Sequence, residues 1–371
     1  MHVGYSAIFQ NPEDELTDYD VYQNELRLAE MAEPLGFDSV WSVEHHFTDY
    51  TMCPNVAQFL SYMAAKTERA RLGSMVIVLP WHDPLRAAEQ IVMLDNLSEG
   101  RMVLGLGRGL GKVEFDGFRV DMNESRPMFV EKAEMLLQGL EDGYCEYDGK
   151  YVQQPRRDLR PSPFKSFRGR TYAAAVSPES SRIMARLGVG LLIVPQKPWE
   201  DVQREITEYR EIFIAENGTE PPPPLVAGWT IVDEDEDRAA ELALEYIGKY
   251  YHTVMKHYQF KNDHLKATKG YEYYGGLTKY IDKRGADGAA ADFTMLHPWG
   301  TPEQVIEKIM NIHEMVGHNG YMAILSFAGM PYELAERNMK LFAEKVMPAL
   351  KASGVAPPTF DALGEPLAQS A

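Results

Sequence analysis

Short apolar runs alternate strictly with stretches of helical periodicity, and this constrains the fold of the 371-residue chain more than any other feature. Val3 to Ile8 reads as a strand, and Tyr22 to Leu35 then carries apolar residues at helical spacing until Gly36 stops it. The unit repeats with the strand Phe37 to Val43 and a helix over about Asn55 to Thr67, then with Leu72 to Leu79 and about Pro84 to Leu97. Arg101 to Gly107 and Glu124 to Leu140 make a fourth unit. Thr171 to Val176 with Ser180 to Leu187 make a fifth, and Val189 to Val194 with Trp199 to Glu216 a sixth. Leu225 to Val232 precedes the helix Asp237 to His257, and Gly320 to Phe327 precedes Tyr332 to Leu350. Strands joined by crossover helices form a parallel sheet, and eight units favour an α/β fold of the (β/α)8 TIM-barrel type over a doubly wound sheet.

A bare barrel uses about 250 residues, leaving about a hundred for insertions. The whole chain, 1–371, is expected to form one barrel domain with insertions at about 141–169 and 259–299. The proline run Pro221 to Pro224 leads straight into a strand and reads as a stiff loop. The second insertion contains GYEYYGG and DKRGADGAAADF and is either a lid or a disordered segment. A net charge of -18 argues against nucleic acid or an anionic membrane surface as partner, because both demand basic patches. Cys53 and Cys145 are too few for a disulfide framework, and no Cys/His spacing suggests zinc, so no metal is expected. The N-terminus enters a strand without a charged lead, and no apolar run approaches a membrane span. The reducing cytoplasm is the expected location.

Chemistry in a barrel collects at the C-terminal ends of the strands. Those positions hold Glu44, His45 and His46 after the second strand, Arg108 after the fourth, Ser177 to Ser181 after the fifth and Gln196 after the sixth. An imidazole there can act as acid or base near neutral pH; the alternative is a loop histidine pair held by hydrogen bonds. Gly105 to Gly111 alternates glycine through GLGRGLG, which lets backbone approach a flat or phosphorylated ligand. It is not a dinucleotide fingerprint, since the first two glycines lie within the strand and no helix starts at the third. Ser177-Pro178-Glu179-Ser180-Ser181 suits either an ordinary helix cap or an anion site at a helix N-terminus, and Arg108 with Arg126 would complete a phosphate clamp.

EHHFTD, IVLPWHDPLRAAEQIVMLDNLSEGR, GLGRGL and DMNESR, followed by GTPEQ at Gly300 to Gln304 and MKLFAEKVMPAL at Met339 to Leu350, resemble the luciferase-like flavin monooxygenases nearly end to end. Among these, the luciferase α subunit is the nearest pattern. The resemblance implies a barrel that binds reduced FMN, activates O2 as a flavin C4a-hydroperoxide, and oxygenates a small apolar organic substrate such as an aldehyde or ketone. It implies His45 as the catalytic histidine with Glu44 fixing its tautomer, Arg108 and Arg126 at the phosphate, and Ser177 and Ser180 as phosphate hydroxyls. Met75-Val76 falls where the family often has a cis peptide behind the isoalloxazine ring. GYEYYGG resembles the luciferase mobile loop. Three departures stand near the expected flavin: Gly107 replaces a cysteine, Val176 a glutamate and Tyr250 a tryptophan, which argues against light emission. Family members usually pair through the helices after strands two and three, so a homodimer is expected, with a separate NAD(P)H-dependent flavin reductase. The alternatives are an F420-dependent hydride-transfer enzyme, a non-catalytic flavin-binding relative and, least favoured, a metal hydrolase using His45 and His46.

Overall fold

The computed structural model describes residues 1–12, 14–174, 178–262, 264–271 and 274–361. Eight strands make the barrel wall: β1 (His2–Ala7), β2 (Ser39–Ser42), β3 (Arg71–Ser74), β4 (Met102–Gly107), β5 (Thr171–Ala174), β6 (Gly190–Ile193), β7 (Leu225–Trp229) and β8 (Gly320–Ile324). Each pairs in parallel with its neighbours in chain order, and β8 returns to β1 with Val3 opposite Tyr321. The wall is therefore closed, as the alternation of strand and helix requires. Its interior is filled by large side chains: Trp41 is fully buried, and Gly73 leaves the room its indole needs, since a Cβ there would run into the ring.

The crossover helices are α1 (Asp18–Ala32), α2 (Val56–Lys66), α3 (Pro84–Leu97), α4 (Ser125–Asp142), α5 (Pro178–Arg186) and α6 (Trp199–Asn217). The seventh, α7, runs from Glu236 through a π-helical turn at Ala243–Ile247 to His257, and α8 runs from Tyr332 through a similar turn to Lys351. Local chemistry sets several starts. The Asn55 side chain accepts from the Gln58 amide ahead of α2, and Asp83 accepts from the Arg86 amide ahead of α3, with Pro84 just inside.

Two expectations are corrected, both of strand bounds. The third strand does not run unbroken to Leu79: it stops at Ser74, passes through a cis peptide at Met75-Val76, and resumes as Ile77–Val78 against Leu106 and Gly107 of β4. No helix starts at the third glycine, Gly109; a short helix that periodicity did not announce, Lys112–Phe118, begins after Gly111, which caps it. The eighth strand closes at Ile324 rather than Phe327. Within 141–169 lies an antiparallel hairpin of Tyr144–Asp148 and Gln153–Asp158. The end of that stretch is fastened by Arg170, whose guanidinium makes two hydrogen bonds of 2.6 and 2.9 Å to Asp95 of α3, both side chains fully buried. The described part of 259–299 holds three short helices, His264–Ala267, Gly275–Arg284 and Ala286–Thr294. Among the described residues no helix is long and apolar enough to cross a membrane.

Candidate active site

A cavity of about 240 Å³ opens at the C-terminal ends of the strands. Glu44 and His45 reach it from the end of β2, Arg108 from β4, Gln196 from beyond β6, and Trp229 and Tyr250 from β7 and α7. Met75, Val76, Gly107, Arg126 and Ser180 also line it. The pocket is mostly apolar, with its charged groups gathered at two poles.

At the first pole Glu44 and His45 part company. Glu44 is buried, and its Oε1 lies 3.0 Å from His46 Nε2 and 2.6 Å from His82 Nε2, while Oε2 accepts from the Val78 amide at 2.8 Å. Burial pushes this carboxyl up, but hydrogen bonds from His46 and His82 outweigh it and hold the group below its ordinary value. The expectation that Glu44 orients His45 is thus wrong. Consecutive residues leaving a strand point to opposite sides, so Glu44 takes its second neighbour, His46, and His45 faces elsewhere. The same geometry undercuts a metal site on His45 and His46, because His46 is turned onto Glu44.

The residue that orients His45 is Glu114, on the short helix after Gly111. Its Oε1 lies 2.9 Å from His45 Nδ1 and accepts from the His46 amide at 2.9 Å. Burial acts to raise the Glu114 carboxyl, yet the imidazoles of His45 and His257 together bring it down to about 2. A carboxylate at Nδ1 favours the tautomer that carries its proton there, leaving Nε2 to face the cavity, where the Tyr258 hydroxyl stands 3.5 Å away. His257, at the end of α7, brings Nε2 to 3.5 Å from Glu114 Oε2. One polar atom from each of His45, Glu114 and His257 lies within 4.8 Å of the others. Hydrogen bonding to Oε1 from the His45 ring and the His46 amide accounts for the closeness of His45 and Glu114, and the end of α7 brings His257 to Oε2. Nothing in the primary structure joins positions 45, 114 and 257; the one available signal was an acidic residue placed just after a glycine turn.

At the second pole Arg108 and Arg126 converge. Arg108 Nη1 and Arg126 Nη2 both donate to the Gly270 carbonyl, at 2.9 and 2.8 Å. Arg126 also pairs with Glu179 of α5. The Arg108 guanidinium lies 3.8 Å over the ring of Tyr271, whose hydroxyl donates to the Gly109 carbonyl at 2.8 Å and stands 3.0 Å from Ser125 Oγ. Gly270 has φ +84°, and a side chain there would press on both guanidiniums. Residues of the second insertion thus close over this pole, a contact no local pattern announced.

Ser180 lines the cavity from α5, whereas Val176 and Ser177 lie outside the described residues. Tyr250 places its hydroxyl 2.6 Å from that of Tyr50 and its ring 4.1 Å from that of Trp229. Gly107 lies beside the Met75-Val76 peptide, and a Cβ at that position would run into Val76.

A closed parallel barrel with a deep apolar pocket and two charged poles at its C-terminal mouth has the form of a TIM-barrel enzyme. More narrowly, the chain belongs to the luciferase-like monooxygenase family, whose model matches residues 1–319. It is 28% identical over 331 residues to the alkanal monooxygenase alpha chain of Photorhabdus luminescens, covering 88% of this chain and 91% of that one. Its fold superposes on the monooxygenase RslO1 from Streptomyces bottropensis with a TM-score of 0.78 and 26% identity, over 94% of this chain and 99% of the other. The oxygenating constituent of 3,6-diketocamphane monooxygenase from Pseudomonas putida, solved with FMN, shares the fold at a TM-score of 0.71 and 18% identity, over 94% and 98% of the two chains.

Proposed function

We propose that this protein is a monooxygenase that uses reduced FMN to activate O2 and oxygenates a small apolar organic substrate of the aldehyde or ketone kind, without light emission. The observation that carries this reading is the convergence of two guanidiniums, Arg108 and Arg126, on a single acceptor at one end of an apolar cavity whose other end holds His45. Paired guanidiniums suit a phosphate, and Ser180 lines the same cavity. Gly107 lets Val76 pack close against β4, and Met75, Val76 and Gly107 together line the cavity wall against which a flat ring would lie. The donor set therefore fits FMN, with Arg108, Arg126 and Ser180 toward its phosphate, and Met75, Val76, Gly107 and Tyr250 toward its ring; Ser177 and Val176, expected near the phosphate, lie outside the described residues.

When bound, reduced FMN supplies the two electrons that activate oxygen. The chain must bind it, keep water out and manage protons. His45 takes up and returns a proton at Nε2, with Glu114 holding the proton on Nδ1. The insertion that closes over Arg108 and Arg126 excludes water. Electrons come from a separate NAD(P)H-dependent flavin reductase. The protein forms a homodimer through α2 and α3, which expose Tyr62, Met93 and Leu97.

The test mixes photoreduced FMN and protein with oxygenated buffer in a stopped-flow instrument. A transient absorbance that free FMN lacks, weakened in Arg108→Ala and His45→Ala, supports the reading. FMN that reoxidises as it does free in solution sinks it, and tight binding of F420 in its place would assign hydride transfer instead.

A further inference from the structure

We propose that His257 and Thr48 form the outer arm of a proton relay joining His45 to a second cavity, separate from the one that receives substrate. The proposal rests on the reading of His45 as the group that handles protons. The second cavity, of about 130 Å³, is lined by Thr48, Asp49, Tyr50, Val113, Lys256 and His257 among others, whereas neither Thr48 nor His257 lines the first. Four groups run in sequence between the two. His45 Nδ1 lies 2.9 Å from Glu114 Oε1, Glu114 Oε2 lies 3.5 Å from His257 Nε2, and His257 Nδ1 lies 3.0 Å from Thr48 Oγ1.

The middle of this chain is unusual for a purely structural cluster. His257 is only 4% exposed, and its Nε2 and Glu114 Oε2 are buried without any hydrogen-bond partner among the described residues. A buried donor or acceptor left unpaired is costly, so atoms kept facing each other at 3.5 Å suit a bond that forms when a proton arrives. Gly111 preserves the gap: a Cβ there would meet both Glu114 Oε2 and His257 Nε2. The ring of His257 is held by stacking on Tyr50, centroids 4.4 Å apart and planes 16° apart, so it cannot swing away.

The proton balance is simple. A proton taken up at His45 Nε2 releases the one on Nδ1 to Glu114. A half-turn of the resulting carboxyl presents that proton to His257 Nε2, and His257 gives up its Nδ1 proton to Thr48 Oγ1, whose own hydroxyl proton passes to solvent in the second cavity. One proton enters, one leaves and no charge remains behind; returning a proton runs the chain backwards and restores each tautomer. The charged and titratable groups facing His257 are Glu114 and His45, Asp49, which Lys256 already pairs at 3.2 Å, and the phenols of Tyr50 and Tyr258. Burial holds the His257 imidazole below its ordinary value, so it carries a proton in passage and does not store it.

The first experiment needs neither flavin nor substrate. In 15N-histidine-labelled protein, the titration of His45 should move by at least about half a pH unit in His257→Gln and in Gly111→Ala, because the two imidazoles share one carboxylate. A His45 titration that stays unmoved in both folded variants overturns the relay, whatever becomes of the flavin reading. The second compares wild type, His257→Gln and Thr48→Val in turnover with a reductase. Both variants should lower kcat about tenfold, raise the solvent deuterium isotope effect and leave KM unchanged. Added imidazole, entering by the second cavity, should restore His257→Gly. A Thr48→Val enzyme with wild-type kcat and isotope effect, or a wild type that loses activity to EDTA and regains it with zinc alone, overturns the proposal.

Discussion

The two poles of the cavity are built in opposite ways. At the His45 pole every partner is fixed by the barrel and its adjoining short helix: Glu44 is tied to His46, His82 and the Val78 amide, and Glu114 to the His45 ring and the His46 amide. At the arginine pole the guanidiniums rest on Gly270 and Tyr271, which belong to the 259–299 stretch. One pole is preorganised by its own hydrogen bonds; the other is covered by a loop that, on the function proposed above, would yield to a phosphate. Groups that move protons need fixed distances, while a group that admits a cofactor needs a movable neighbour.

The largest effect that would break this contrast is at Glu114. Glu114→Gln should lower kcat about 100-fold while FMN affinity stays within about twofold, read by steady-state turnover and flavin fluorescence quenching. Equal losses in both would mean that the His45 pole also shapes the cofactor site. Arg108→Ala should do the reverse, weakening FMN binding about 10- to 100-fold, since a charge-assisted hydrogen bond contributes about 1.5–3 kcal/mol. Gly270→Ala sharpens the loop's part. Its φ of +84° disfavours a side chain by about 1 kcal/mol, so exchange of the Tyr271 amide should speed up about fivefold, with kcat little changed.

The last effect is on stability alone and concerns a carboxyl remote from both poles. Glu25 of α1 is buried against Ser326, 2.7 Å from its Oγ, and burial raises its pKa to about 7 from the ordinary 4.5. A raised carboxyl pKa means the folded state binds the proton more tightly. Stability should therefore fall by on the order of 1–3 kcal/mol as pH rises from about 4.5 through 7, then level off. Urea midpoints across that window should show the slope in wild type and lack it in Glu25→Gln, with the His45 pole untouched.

Much of this was legible in advance because it depends on neighbours in the chain. Strand and helix periodicity is local, so all eight repeating units were visible, and Asn55 and Asp83 mark helix starts through contacts three residues away. Strand-end chemistry is also a local property once a barrel is assumed, which is how Glu44, His45 and Arg108 were found. The break in β3 is only half legible: the family pattern points to a cis peptide at Met75-Val76, while the apolar run continues to Leu79 with no local sign that the strand stops at Ser74.

By itself, the order of residues determined the closed parallel barrel, the family and the residues that face the mouth, since these follow from periods of two and 3.6 and from motifs a few residues long. Only the tertiary structure decided who partners whom. Glu114 rather than Glu44 serves His45, His257 comes to it from the end of α7, and Gly270 covers two arginines from the far insertion. Those contacts join residues up to 162 positions apart within a few ångströms of one another. Such pairings are set by how loops from different strands meet above a common pocket, a property of the closed wall and not of any stretch of chain.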